Sequence, residues 1–195
     1  MSILCVLALL CLMTLTHSAP LTCEEMLRPL DQVDLPRLEG RRALVAASLS
    51  HPPFMERLRQ RETASVDFSS NSSESSISFR RSTRFDNVCH YGSYNISLQG
   101  SSFIFDNITT TFTHTSCDDC VLLSFDVESG KRQHFYLFSR RRQLETQEIQ
   151  EFTAQVKCLN MPPPVVMDPT KELCPEESSS DAAAQTEEKA EGQTD

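Results

Sequence analysis

The chain has 195 residues, a formal net charge of −9 and eight cysteines, and it contains no tryptophan. A chain of this length suits one domain with extensions at its ends. Nine acidic residues and two lysines follow from Asp168 onward, so the rest of the chain is close to neutral. A near-neutral body argues against nucleic acid as a partner, because that partner requires a basic face.

Residues 1–19, MSILCVLALLCLMTLTHSA, form an uncharged apolar stretch that ends in small residues. This pattern predicts a secretory signal peptide with cleavage after Ala19 or Ser18, and it is too short to span a membrane. Further along the chain the sequence has no apolar run of the length that a transmembrane helix needs. We therefore expect a secreted, extracellular protein that does not insert stably into membranes.

Six cysteines follow the predicted signal peptide, and they are Cys23, Cys89, Cys117, Cys120, Cys158 and Cys174. An even number in an oxidising compartment predicts three disulfides, but counting alone leaves their pairing open. Three sequons, at Asn71, Asn95 and Asn107, predict N-linked glycans at outward-facing positions.

Between residues 41 and 139 the chain repeats a short segment of alternating apolar and polar residues followed by polar or glycine punctuation. Eight such segments occur: RRALVAASLS, TASVDFSS, SSISFRRST, VCHYGSYNISL, SSFIFD, TTTFTHTS, VLLSFDV and HFYLFS. Alternation gives each strand one dry and one wet face, and this spacing is typical of an antiparallel sandwich or barrel. Because closure removes exposed edges, we expect a mainly β protein with an eight-stranded antiparallel up-and-down barrel.

The periodicity becomes helical after the last strand. The segment LETQEIQEFTAQVKCL, residues 144–159, predicts one amphipathic C-terminal helix packed on the barrel, with Thr146 as its cap. Ahead of the first strand, DLPRLEG predicts a single turn that Asp34 caps and Gly40 ends. Residues 178–195 are acidic and almost free of large apolar side chains, so we expect a disordered tail after a barrel domain at 20–177.

The motif CDDC at 117–120 has two interpretations. A redox-active pair would need a helix N-terminus and a lowered thiol pKa, whereas the two aspartates would raise it. A disulfide that staples a two-residue hairpin is therefore favoured, and a zinc site that recruits His114 or His134 is the lesser alternative. The sequence shows no motif for another metal, a resident cofactor or a catalytic triad.

The segment SRRRQ contains three consecutive arginines, Arg140 to Arg142. We interpret it as a solvated loop rather than a polyanion-binding patch.

The order of a first cysteine, a short turn, a glycine opening a strand, eight strands, a helix ending in cysteine and a last cysteine in an acidic tail resembles the lipocalins. The stretches GRRALVAASL, DNVCHYGSYNISL, LSFDVESGK, EIQEFTAQVKCL and KELCPEE are similar to the alpha-1-acid glycoprotein (orosomucoid) branch. Within that branch the chain is similar to fish plasma proteins that bind saxitoxin, tetrodotoxin or tributyltin. The resemblance covers residues 23–177.

The resemblance implies disulfides Cys23–Cys158 and Cys89–Cys174. It also exposes a departure, because lipocalins usually carry Gly-x-Trp at the start of the first strand, where the tryptophan closes the barrel floor beneath an arginine. Arg42 stands in the place of that tryptophan. We expect either that Arg42 points inward, with an acid or a backbone carbonyl separating it from a facing arginine, or that it points to solvent and Leu38 or Leu44 fills the floor.

Strand alternation, together with the pocket positions of the resembled family, predicts a ligand-binding set with apolar walls and three polar members, Arg81, Thr83 and Tyr136. The full set is Leu49, Phe54, Leu58, Val66, Phe68, Phe79, Arg81, Thr83, Ile96, Phe103, Phe105, Leu123, Phe125, Tyr136 and Phe138. The alternative is that the phenylalanines only fill a solid core.

The predicted function is carriage of a small lipophilic or amphipathic molecule by a monomeric plasma-type glycoprotein, with toxin or xenobiotic sequestration as a version implied by the resemblance. An arginine in the cavity disfavours a cationic toxin unless Asp67 or Asp106 turns inward. Two alternatives stay open. One is an acute-phase or immunomodulatory glycoprotein that acts through its surface and glycans, and the other is a lipocalin-type enzyme, which would need a free cysteine. We expect no enzymatic activity.

Overall fold

The computed structural model of this chain describes residues 21–70, 77–105, 107–128 and 130–176. The predicted signal peptide, the predicted acidic tail, the sequon at Asn71 and Asp106 lie outside these ranges. Within them, no helix is both long and apolar enough to cross a bilayer.

Eight antiparallel strands form the body of the described chain. They are β1 (Gly40–Leu49), β2 (Thr63–Ser70), β3 (Ile77–Phe85), β4 (Val88–Ile96), β5 (Ser102–Phe105), β6 (Ile108–Thr113), β7 (Cys120–Val127) and β8 (Arg132–Ser139). Hydrogen-bonded neighbours follow the order β4-β3-β2-β1-β8-β7-β6-β5, so the first and last strands pair and the sheet curls into a nearly closed barrel. This confirms the predicted fold class. A short strand that was not predicted, β9 (Val165–Val166), adds to β1.

Four helices flank the strands, namely α1 (Cys23–Met26), α2 (Leu35–Leu38), α3 (Pro52–Arg59) and α4 (Thr146–Cys158). The turn capped by Asp34 appears as α2, with a proline in its first turn. Helix α4 begins where the sequence predicted, but its N-cap is Glu145 rather than Thr146. The Glu145 carboxylate accepts the Glu148 backbone N–H and the Glu148 side chain reaches back, so a reciprocal capping box replaces the expected threonine cap.

Two apolar clusters hold the fold together. One fills the barrel interior, and the other lies between the outer face of the barrel and α4, where Phe135 and Phe152 stack with ring centroids 5.4 Å apart. The buried amide of Gln155 donates to the carbonyls of Met26 and His114 at 2.8 and 2.9 Å, which links α4 to the N-terminal segment. Because buried amides need partners, this bridge fixes the position of the helix as well as adding contacts.

All six cysteines after the predicted signal peptide are paired. Cys23 bonds Cys158 and Cys89 bonds Cys174, as the resemblance implied, and Cys117 bonds Cys120. The third pair differs from the predicted two-residue hairpin. Residues 114–119 form a loop between β6 and β7, and the disulfide closes the turn in which the Cys120 N–H donates to the Cys117 carbonyl.

Candidate ligand-binding cavity

A cavity of about 420 Å³ lies inside the barrel, at the end where β1, β3, β5 and β7 finish. Ten of the fifteen predicted residues line it, and they are Leu49, Phe54, Val66, Phe79, Arg81, Thr83, Phe105, Phe125, Tyr136 and Phe138. Alternation placed these side chains on the inner face, and the strand registers bring them to one end of the barrel. A cavity of this volume lies within the range typical of small-molecule sites.

The wall of the cavity is an arc of aromatic rings. The centroids of Phe105 and Phe125 are 6.3 Å apart, those of Phe125 and Tyr136 5.2 Å, and those of Tyr136 and Phe138 6.0 Å. The Phe105–Phe125 and Phe125–Tyr136 pairs meet edge to face, a favoured geometry for aromatic side chains. The wall is thus a rigid apolar surface with the Tyr136 hydroxyl on it.

The other five predicted residues do not line the cavity. Leu58, Phe68, Ile96, Phe103 and Leu123 are at most 1% exposed and belong to the packed cluster of the barrel interior. Phe68 stacks on Phe79 with centroids 5.0 Å apart, and Phe103 packs on Phe112. Alternation shows which side chains point into the barrel, but it does not show how far along the barrel axis each one lies. Residues of the cavity wall and of the packed core therefore have the same sequence pattern.

Ten residues that were not predicted also line the cavity, and they are Arg57, Arg61, Ala64, Ser65, Ser82, Phe85, His90, Tyr91, Ile108 and His134. His134 shares the inner face of β8 with Tyr136 and Phe138, so alternation could have found it. Arg57 lies three residues after Phe54 on α3, a helix that the sequence analysis did not predict.

His134 lies among aromatic rings inside the cavity. Its ring packs edge-on against Phe54, Nδ1 is 3.4 Å from the Tyr136 hydroxyl, and the buried Nε2 has no hydrogen-bond partner among the described residues. Burial, reinforced by the positive charges of Arg132 and Arg61, lowers the pKa of His134 to about 4. Burial likewise raises the pKa of Tyr136. Both side chains are therefore neutral near pH 7 and serve as hydrogen-bonding groups.

Comparisons with known proteins place the fold. No family model and no curated protein matches the chain. Among solved structures, the siderocalin Ex-FABP, described as functioning through dual ligand specificities, superposes with a TM-score of 0.61. The match has 13% sequence identity and covers 73% of this chain and 97% of that one. The chain has a lipocalin fold. At this identity the similarity establishes the architecture alone.

The closed end of this lipocalin fold shows where Arg42 points, although it stands where lipocalins usually carry a tryptophan. Arg42 is 2% exposed, and its guanidinium donates to the carbonyls of Arg37 and Leu38, at the end of α2. Arg140 donates to the carbonyls of Arg37 and Glu39 at 3.2 and 2.8 Å. Backbone carbonyls thus separate the two arginines, as we expected for an Arg42 that points inward. Burial first, and then the charge of Arg140, lowers the pKa of Arg42 to about 10, so it stays charged at neutral pH.

The three consecutive arginines at 140–142 lie at the surface of the closed end, and each has a partner within the fold. Arg141 forms ion pairs with Asp119 and Glu148, both at 2.7 Å, which join the CDDC turn to α4. Arg142 donates to the Lys171 carbonyl at 2.8 Å. The segment is an exposed loop, as expected, but its arginines also have partners within the fold.

The CDDC turn offers no thiol in this structure, because Cys117 and Cys120 bond to each other. A carboxylate oxygen of Asp119 and the two sulfurs lie within 4.8 Å of one another, but a disulfide sulfur is not the thiolate that binds zinc. Two sequons are accessible for glycosylation. Asn95 on β4 and Asn107 in the turn before β6 are both exposed.

Proposed function

We propose that this chain is a secreted lipocalin of the orosomucoid branch that carries a small lipophilic or amphipathic molecule in its barrel cavity. The observation that carries the proposal is the aromatic-walled space of about 420 Å³ above a densely packed floor. Transfer of apolar ligand surface into such a space would stabilise the complex by about 25 cal/mol per Å². The neutral Tyr136 and His134 would orient the ligand by hydrogen bonds.

Extracellular location is supported by the three disulfides, since such bonds persist in oxidising compartments. The exposed asparagines of two sequons are compatible with glycosylation of the secreted form. Mass spectrometry of the protein recovered from culture medium would test both, and it would show a new N-terminus at Pro20 or Ala19 together with glycan mass on Asn95 or Asn107.

A binding function is favoured over an enzymatic one. A lipocalin-type enzyme would need a free nucleophilic cysteine, and the cysteines within the described residues are all in disulfides. Sequestration of a cationic toxin is disfavoured as well, because Asp67 turns outward and pairs with Arg80. Asp106, the other acid considered for that role, lies outside the described residues.

Filling the cavity tests the proposal. Ala64 is a small buried residue on the cavity wall, so Ala64→Trp places an indole in the ligand space. We expect the wild-type protein to bind the neutral probe N-phenyl-1-naphthylamine at one site, and Ala64→Trp to lose about tenfold or more in affinity, or 1.4 kcal/mol or more. Because the chain has no natural tryptophan, the indole also reports on its own surroundings.

The matched control is Ile104→Trp, which puts the same side chain on the exposed face of β5 and leaves the sequons intact. The carrier proposal fails if the wild-type protein does not bind the probe. It also fails if both tryptophan variants bind as well as the wild type while circular dichroism shows that they are folded. An activity that survives Ala64→Trp but disappears when Asn95 and Asn107 are changed to glutamine would instead favour a glycoprotein that acts through its surface.

A further inference from the structure

The charged residues of the cavity all have one sign. Arg57, Arg61 and Arg81 line it together with two histidines, and no aspartate or glutamate does so among the described residues. The complete chain carries a net charge of −9, so this local excess runs against the overall balance. A concave site lined by one sign of charge concentrates the opposite sign.

Most arginines elsewhere in the described chain have side-chain partners within the fold. Arg80, Arg132 and Arg141 form ion pairs with carboxylates. Others donate to backbone carbonyls, as Arg42 and Arg140 do at the closed end. In the described ranges, the cavity arginines show no ion pair with any carboxylate, and the ion pairs present involve Arg37, Arg59, Arg80, Arg132 and Arg141.

The cavity arginines come from two parts of the chain, α3 with the residues just after it and β3. Arg57 is on α3, with its guanidinium 5.8 Å from the ring centroid of Phe85. Arg81 is on β3, with its guanidinium 5.3 Å from the ring centroid of Tyr94. Such cation–π contacts hold a guanidinium in place without neutralising its charge, so its N–H groups stay available to an acceptor.

The backbone leaves room for Arg81. Its partner across the β3–β4 ladder is Gly92, where a Cβ would lie 3.1 Å from the Arg81 Nε and 3.3 Å from the Tyr94 hydroxyl. A larger residue would force the guanidinium away from the tyrosine ring. Arg61, two residues after α3, lines the same cavity as Arg81 and Tyr136.

From this arrangement, and resting on the proposed carrier function, we propose that the ligand is an amphipathic anion. Its acidic head, a carboxylate, sulfonate or phosphate, binds between Arg57, Arg61 and Arg81 at the cavity opening, and its apolar part lies against the ring of aromatic side chains below. Arginine suits this role because its planar fork of donors matches the oxygens of such anions. Neutralisation also relieves the repulsion among the three guanidiniums.

Two probes with the same aromatic skeleton separate the charge from the apolar surface. One is 8-anilinonaphthalene-1-sulfonate, and the other is N-phenyl-1-naphthylamine, which lacks the sulfonate. We expect the wild-type protein to bind the sulfonate about ten- to a hundredfold more tightly, the range expected for one charge-assisted hydrogen bond. The triple variant Arg57→Gln, Arg61→Gln, Arg81→Gln should lose this preference and keep its affinity for the neutral probe.

The matched control is Arg59→Gln, on the same helix as Arg57 but paired with Glu56 outside the cavity. It removes one positive charge from the same helix, as Arg57→Gln does, and should leave the preference unchanged. Displacement of the sulfonate probe by dodecanoate, dodecyl phosphate, dodecanol and dodecyltrimethylammonium, all below their micellar concentrations, then tests the head group. Dodecanoate or dodecyl phosphate should displace the probe far better than the alcohol or the cation, and their ranking distinguishes the two acids.

The outcomes separate this inference from the carrier proposal. Equal binding of the two probes, a preference that survives in the triple variant, or displacement by the cation as effective as by the acids would overturn the anionic ligand and leave the carrier in place. Failure of the wild-type protein to bind either probe would overturn both proposals. Loss of the preference in Arg59→Gln would show a general charge effect and would also overturn the inference.

Discussion

Replacing Arg42 by methionine tests how the barrel floor is closed. The substitution keeps most of the apolar length of the side chain and removes the guanidinium. After it, the carbonyls of Arg37 and Glu39 still accept from Arg140, but those of Leu38 and Gly40 lose the Arg42 donor. A buried acceptor left without a donor costs about 1–3 kcal/mol, and each lost hydrogen bond to a charged group about 1.5–3 kcal/mol.

An opposing effect reduces this cost. A buried guanidinium has a desolvation penalty of several kcal/mol, and methionine removes that penalty. We therefore expect Arg42→Met to lower the free energy of unfolding by about 2 kcal/mol, which shifts the urea midpoint by about 1 M for a protein of this size. The measurement is equilibrium unfolding of the oxidised protein in urea, followed by far-ultraviolet circular dichroism.

Arg140→Met is the matched control, because Arg140 is exposed and shares its acceptors with Arg42. We expect it to cost about 0.5 kcal/mol, as is usual for exposed charged contacts. The double variant should cost about 1 kcal/mol more than the sum of the two, since the Arg37 carbonyl then loses both donors. Equal effects of the two single variants, or an Arg42→Met protein as stable as the wild type, would refute a floor held by Arg42.

Two further predictions concern stability. Replacing Cys23 and Cys158 by alanine opens a loop with a sequence separation of 135 and should cost about 5 kcal/mol in the chain-entropy model. The same change at Cys117 and Cys120, with a separation of 3, should cost about 2 kcal/mol, and the reverse order in urea unfolding would contradict this account. Burial lowers the pKa of His134 from its usual value of 6.5 to about 4, so the imidazole is neutral in the fold at neutral pH. Below pH 6.5 the unfolded chain binds a proton on this residue that the folded chain does not. The free energy of unfolding is therefore unaffected above pH 6.5 and decreases as the pH falls toward 4. Between pH 7 and pH 5 the free energy of unfolding of the wild type should therefore fall by about 1–2 kcal/mol more than that of His134→Gln, a value reduced for partial solvent screening. Equal decreases in the two proteins would exclude His134 as the cause.

The sequence was sufficient for the barrel because a strand with one buried face shows its pattern locally. In TASVDFSS and HFYLFS, inward and outward residues alternate whatever their partners are. Helix α3 was missed for a physical reason. Pro52 and Pro53 were interpreted as the end of β1, but proline also fits the first turn of a helix, and eight residues show too little helical periodicity to decide.

The candidate site was predicted only in part, because its charged members depend on tertiary structure. Arg57 and Arg61 enter the cavity only because α3 lies across the barrel end, and no local pattern encodes that position. Arg42 shows the same limit at the other end. Its burial depends on the carbonyls of α2, which a linear sequence cannot place beside it.

The two ends of the barrel use arginine in opposite ways, and this contrast separates structure from function. At the closed end, Arg42 is buried and has backbone acceptors, so its removal leaves carbonyls unpaired and weakens the fold. At the open end, Arg57, Arg61 and Arg81 repel one another and have no carboxylate partner among the described residues, so they contribute little to folding. A side chain whose charge the fold does not neutralise is one that a ligand can neutralise, and the cavity beneath these arginines is where the apolar remainder of that ligand would lie.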